Sequence, residues 1–128
     1  MGVIQGQAIV GITLAELGEM LEGGPVEKVN TANLGYALFS GHSGATTVAT
    51  TMELAAASGV QFFATGGLGG VHRGYGSHWD ISADLAAFTR FPVAVITSGA
   101  KLVLDVVSTR EALETLGITI VGYGTHAF

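Results

Sequence analysis

An apolar run from Val60 to Ala64 leads straight into Thr65-Gly66-Gly67-Leu68-Gly69-Gly70-Val71-His72-Arg73-Gly74, and no other stretch constrains the fold as much. Glycine has no Cβ, so this loop can approach another group closely and take up positive φ. Asp80-Ile81-Ser82-Ala83-Asp84 follows shortly after, with polar groups and a helix start. A loop at the end of a buried strand, followed by such a start, is where α/β proteins bind anionic ligands.

The rest of the chain reads as strands alternating with helices. Val3 to Ile12 is a strand with a glycine-rich break, and Thr13-Leu14-Ala15-Glu16 is a capping box opening a helix to about Glu22. A short strand over Val26 to Asn30, a helix of small residues over Thr46 to Ser58 and a buried strand over Val60 to Ala64 come next. Ser82 caps a helix over Asp84 to Thr89, and Pro92 precedes a strand over Val93 to Ile96. Ser98-Gly99-Ala100-Lys101 is a tight turn into a helix over Leu102 to Val107. Ser108 caps a further helix ending at Gly117, and Ile118 to Val121 is the last strand. This order predicts an α/β fold, a three-layer α/β/α arrangement around a mostly parallel sheet, as one domain over residues 1–128.

Composition narrows the function. With a formal net charge of −5 and only Lys28, Arg73, Arg90, Lys101 and Arg110 as basic residues, no face exists to grip a nucleic-acid polymer. Cysteine is absent, which excludes thiol nucleophiles and zinc–thiolate sites. No signal peptide or membrane-spanning apolar run is present, so a soluble cytoplasmic protein is expected. Charged residues make up only 12 % of the chain, which hints that some surface meets another subunit or a further part of a longer chain.

Several residues could carry chemistry. An amine in apolar surroundings near a helix start loses its proton easily and attacks carbonyls to form Schiff bases; Lys101 is either that or a lysine snorkelling at the helix start. Asp80 and Asp84 flank a helix start, where a carboxylate can hold a hard cation such as Mg²⁺ or Mn²⁺, or simply cap the helix. The N–H groups of Ser82, Ala83 and Asp84 could hold a phosphate. His72 and Arg73 suit a phosphoester or sugar hydroxyl, or form a surface turn. The loop is neither a dinucleotide fingerprint nor a Walker loop, since His72 stands where a third glycine is needed and no Gly-Lys-Ser/Thr occurs. The segment Ser43 to Val48 could present amides or hydroxyls to a ligand, or cap a helix.

Taken together, Gly44-Ala45-Thr46-Thr47-Val48-Ala49, Phe63 to Gly74, Asp80 to Leu85, Ser98-Gly99-Ala100-Lys101 and Val121-Gly122-Tyr123-Gly124-Thr125 resemble the central segment of the pseudouridine-5′-phosphate glycosidase family. The resemblance covers nearly the whole chain, while family members are more than twice as long. It implies a homotrimeric α/β/α enzyme that uses a divalent metal, usually Mn²⁺. The implied reaction reversibly cleaves the C–C glycosidic bond of pseudouridine 5′-phosphate to uracil and ribose 5-phosphate. Lys101 matches the lysine that forms an imine with C1′, and Asp80 matches the metal ligand. Lys28, Val48 and Ser82-Ala83-Asp84 match substrate-contacting positions, and Thr65 and His72 in the glycine-loop run are further substrate-binding candidates. A C–C bond offers no heteroatom leaving group, so a lysine, a metal and a general acid are the minimum equipment.

Two departures widen the reading. The family's general-acid glutamate belongs to an N-terminal region not represented here. The stretch after Lys28-Val29 reads Asn30-Thr31-Ala32-Asn33 where the family carries two arginines and an aspartate. Ser43 and Trp79 also replace an asparagine and a phenylalanine. Weaker recognition of phosphate or base raises an alternative, a C-glycosyl transferase joining ribose 5-phosphate to an aromatic natural-product acceptor. A second alternative is a truncated, non-catalytic domain that binds a phosphosugar or serves in an assembly.

Overall fold

The computed structural model describes residues 1–126 and Phe128. The chain opens with a hairpin instead of one broken strand. β1 (Gly2–Ile4) pairs antiparallel with β2 (Gln7–Ile9), and Gln5 and Gly6 form the two-residue turn with φ of 48° and 76°. Positive φ at both central residues is the turn whose twist matches that of a hairpin. A Cβ on Gly6 would lie 2.6 Å from the Leu38 carbonyl oxygen and 2.8 Å from the Gly41 Cα, so the turn also needs glycine for close packing.

α1 (Leu14–Glu22) begins as the sequence predicts. The Thr13 hydroxyl accepts from the Glu16 N–H at 3.2 Å, and the Glu16 carboxylate accepts from the Thr13 N–H at 2.8 Å. The Thr13 N–H, and after it the Thr13 hydroxyl, which donates to the same carboxylate at 2.7 Å, hold the Glu16 carboxyl below its ordinary value. Thr13→Ala should lower stability by the roughly 1 kcal/mol typical of a lost N-cap, read as a fall in the denaturant midpoint at constant slope. An unchanged midpoint would show that the cap contributes nothing.

β3 (Glu27–Val29) is followed by two elements absent from the sequence reading, α2 (Leu34–Ser40) and β4 (Gly44–Thr46). Asn30 and Asn33 close the turn between β3 and α2: the Asn33 side-chain oxygen accepts from the Asn30 N–H at 2.7 Å, and its amide donates to the Lys28 carbonyl at 3.1 Å. α2 stops at Gly41, in the left-handed region at φ 73°. β4 pairs parallel with β3 and antiparallel with β1, giving the order β2-β1-β4-β3.

α3 (Val48–Ala57) is capped by Thr47, and the second sheet follows: β5 (Phe62–Thr65) runs parallel to β6 (Ala94–Thr97), with α4 (Ala83–Arg90) between them in sequence. The α/β class is as predicted. The expected parallel pairing is found in part: the strands form two sheets, parallel at β3–β4 and β5–β6 but antiparallel at β1–β2 and β1–β4. The hairpin accounts for the β1–β2 pair, since two residues can join only antiparallel strands.

Phe63, Val95 and Phe88 pack on Ala49, Met52, Ala55 and Ala87, so the small residues of α3 bring α4 and the second sheet together in one core. The predicted burial of the strand over Val60 to Ala64 is not reached: Phe63, on the face toward the core, is half-buried. Phe62 and Ile96 are 65 % and 63 % exposed on the other, because β-strand side chains alternate and no described element covers that side.

Two expectations near the C-terminus are corrected. No helix spans Leu102 to Val107: Leu102 and Val103 form a turn, and α5 (Val106–Thr115) starts at Asp105, not Ser108. The Asp105 carboxylate caps it by accepting from the Ser108 N–H at 2.9 Å, so the acid three residues upstream outcompetes the serine. Ile118 to Val121 is not a strand, and among the described residues no strand pairs with it; Ile118 packs instead on Val71, Leu85 and Leu113. No helix of the described residues is long and apolar enough to cross a membrane.

Candidate active site

The parallel pair β5–β6 continues past its last residues into two loops that travel together. The Leu68 N–H donates to the Gly99 carbonyl at 2.9 Å, and the Lys101 N–H donates to the Leu68 carbonyl at 3.1 Å. The Ser98 hydroxyl donates to the Gly66 carbonyl. Lys101 is therefore placed by strand pairing, beside the glycine loop. A Cβ on Gly67 would stand 3.1 Å from its Cγ.

The glycines play a different part from the one their sequence suggests. Gly66, Gly67, Gly69 and Gly70 all lack positive φ; Gly74, at 86°, is the residue of this run that has it. Close approach is what Gly67, Gly69 and Gly70 serve, and the approaching groups belong to the protein. A Cβ on Gly69 would lie 2.6 Å from the Asp84 carboxylate and nearer still to the Ser82 hydroxyl, and one on Gly70 would lie 2.9 Å from the Thr109 Cβ. Thr109 is fully buried, and its hydroxyl accepts from the Val71 N–H at 3.0 Å.

Asp84 is the centre of this packing. It is 4 % exposed; one oxygen accepts from the Ala49 N–H and the other from the Gly69 N–H, each at 2.8 Å. One carboxylate thus ties the start of α3 to the glycine loop. Ser82 caps α4 by accepting from the Asp84 N–H at 3.2 Å, and the Ser82 N–H donates to the Gly70 carbonyl at 2.9 Å.

A cavity of about 1300 Å³ opens over these loops. Of the residues singled out from sequence, Lys101, Lys28, Val48, Thr65, His72, Ser82 and Asp84 line it. Asp80 and Ala83 are not among its lining residues. Thr46, Thr47 and Thr51 add hydroxyls, and Leu102, Val103 and Leu104 add an apolar side that sequence reasoning missed because it placed those residues in a helix. A smaller cavity of about 470 Å³, between α5 and the C-terminal segment, holds none of these candidates.

Three sequence expectations change here. Lys101 is exposed and no helix starts beside it, so the helix-dipole ground for an activated amine is absent. Arg73 is not among the residues lining the cavity; its Nε–H donates to the Leu104 carbonyl at 3.2 Å and its Nη2–H to the Leu102 carbonyl at 3.0 Å. Asp80 lies on the surface, its side chain 62 % exposed and its Oδ2 3.6 Å from the His72 Nδ1. No group of three or more His, Cys, Asp or Glu gathers among the described residues. One carboxylate with one imidazole neighbour suits a hard cation that keeps most of its water, and makes no closed cage. Beside Arg73, the Asp105 carboxyl is held below its ordinary value, first by the Ser108 N–H and hydroxyl and last by the guanidinium.

Comparison with known proteins adds relatives to this geometry. A family model described as indigoidine synthase A like protein matches residues 1–128. The chain is 48 % identical over 129 residues to a pseudouridine-5′-phosphate glycosidase of Chloroflexus aurantiacus, covering 100 % of this chain and 42 % of that protein. It is 47 % identical to one from Herpetosiphon aurantiacus, covering 98 % of this chain and 42 % of the other. The chain thus spans about two fifths of the length of these curated relatives. Among solved structures, the prealnumycin C-glycosynthase AlnA in complex with ribulose 5-phosphate superposes with a TM-score of 0.92 at 40 % identity, over 97 % of this chain and 41 % of that one. An indigoidine synthase A-like protein from Thermotoga maritima gives 0.85 at 37 % identity, over 91 % and 39 %.

Proposed function

The chain belongs to the indigoidine synthase A like protein family, and from that premise we propose that it carries the sugar-phosphate and lysine half of a pseudouridine-5′-phosphate glycosidase site. The proposed reaction is reversible cleavage of the C–C bond joining uracil C5 to C1′ of ribose 5-phosphate. The observation that carries the reading is the cavity that gathers Lys101 with Lys28, Val48, Thr65, His72, Ser82 and Asp84, residues far apart in sequence.

In this reading the Lys101 amine bonds to C1′ as the sugar ring opens. Protonation of the base at C5 then lets the nitrogen lone pair expel it, leaving an imine at C1′ that water hydrolyses to ribose 5-phosphate. The C5 proton needs an acid. Asp84 is engaged with two N–H groups, and Glu27, the other carboxyl on the cavity wall, lies 3.2 Å from the His42 Nδ1. The resemblance implies that a glutamate from a region not represented here supplies that proton. A hard cation such as Mn²⁺, held by Asp80 with His72 beside it, would offset the phosphosugar's negative charge. A cytoplasmic homotrimer is the setting the reading carries with it.

The likeness to AlnA favours a second reading, C–C bond formation between ribose 5-phosphate and an aromatic acceptor, which uses the same imine in the opposite direction. Both readings are tested by supplying the chain with Mn²⁺ and either pseudouridine 5′-phosphate or ribose 5-phosphate plus an aromatic acceptor. Chromatographic release of uracil supports the first, and a new C-glycoside in the second mixture alone supports the other. Binding of ribose 5-phosphate with neither product would leave a non-catalytic phosphosugar-binding unit.

A further inference from the structure

We propose that Arg73 is a positioning residue that fixes the turn after Lys101, so that the lysine meets the cavity in one orientation; this rests on the role of Lys101 given above. Lys101 is held from two sides. On its N-terminal side the glycine loop supplies the Leu68 carbonyl to its N–H at 3.1 Å. On its C-terminal side comes a turn whose residues Leu102 and Val103 are 86 % and 65 % exposed. Packing cannot fix such a turn, and its own hydrogen bond is a single one, from the Leu104 N–H to the Lys101 carbonyl at 3.0 Å.

Arg73 supplies the missing restraint. Its fork spans the Leu104 and Leu102 carbonyls at 3.2 and 3.0 Å, two acceptors on either side of Val103. A planar guanidinium can bridge two carbonyls in this way, whereas an ammonium on a flexible stem meets them as a point charge. The fork is mounted on a fixed base: His72 bridges Leu104, the Asp105 N–H donates to the Val71 carbonyl at 2.9 Å, and Thr109 holds the Val71 N–H. Charge-assisted bonds of this kind are roughly twice as strong as neutral ones. Arg73 would otherwise be read as an anion binder, but its fork is spent on main-chain carbonyls and it does not line the cavity.

The two roles separate in a trapping experiment. The rate of borohydride-trapped adduct formation is measured against ribose 5-phosphate concentration for wild type, Arg73→Gln and Arg73→Lys. Amide hydrogen exchange is followed in the peptide spanning 101–105. Loosening the turn should cut the maximal trapping rate of Arg73→Gln by about tenfold or more, since small misplacements of a reacting group are costly. The half-saturating sugar concentration should stay unchanged, exchange at Leu104 should quicken, and Arg73→Lys should recover part of the rate. A raised half-saturating concentration with an unchanged maximal rate would make Arg73 an anion-binding residue and overturn the proposal. Unchanged exchange at Leu104 in a folded Arg73→Gln would overturn it as well. Should Arg73→Gln not fold, Arg73→Lys decides by the same rates and exchange. A wild type that forms no adduct defeats the reading of Lys101 itself, and the proposal with it. A wild-type adduct matched in rate by Arg73→Gln defeats the positioning role alone.

Discussion

Lys101→Ala should abolish the adduct that borohydride traps from ribose 5-phosphate in the presence of Mn²⁺, and turnover of any C-glycoside should fall by more than about a thousandfold, the scale of losing a covalent nucleophile. The wild-type mass increase should map to the peptide carrying Lys101. The chain makes this test unusually clean, because Lys28 is its one other lysine and both line the same cavity. The companion variant Lys101→Arg keeps a positive charge but cannot form an imine, since a guanidinium does not give up its proton. It should bind the sugar phosphate and still yield no adduct. A lysine that merely snorkels would tolerate arginine, and an adduct found on Lys28 or on the Met1 amine would place the chemistry elsewhere.

Some elements of the fold were legible in the sequence and others were not, and the reasons are local. Thr13 and Ser82 cap the helices they were expected to cap, because a hydroxyl before an apolar-periodic run is a short-range signal. The Gln5-Gly6 turn escaped because a two-residue hairpin and a glycine break in one strand look alike until pairing is known. α2 and β4 escaped because each depends on distant partners, β4 on β1 and β3 and α2 on Val3, Val29 and Leu54. The helix over Leu102 to Val107 failed for a related reason. Its apolar residues satisfy a helical pattern, yet the Leu104 main chain is claimed by His72 and by Arg73, the latter 31 residues earlier in sequence and adjacent in space. At the glycine loop the residue type was informative but its reason was not. A Gly at 69 or 70 looks the same whether the approaching group is a phosphate or the Asp84, Ser82 and Thr109 side chains.

Asp84 is where stability and site should prove inseparable. Asp84→Ala should cost roughly 3–5 kcal/mol, because it removes two hydrogen bonds to a charged acceptor and strands the buried Ala49 and Gly69 N–H groups. Such a loss is a large share of the ~5–15 kcal/mol that holds a typical domain together. Asp84→Asn preserves the volume but offers one accepting oxygen and turns an NH₂ toward the other N–H, so about half the penalty should remain. Urea titration reads both values directly. The Asn variant should also loosen the glycine loop, because the Gly69 N–H or the Ala49 N–H must open to solvent, and amide exchange will show which. The resemblance gives this position to substrate contact; Asp84 lines the cavity, and each of its oxygens already accepts one main-chain N–H at 2.8 Å. An Asp84→Asn protein as stable as its parent would mean that those bonds contribute little, and would return the carboxylate to the ligand.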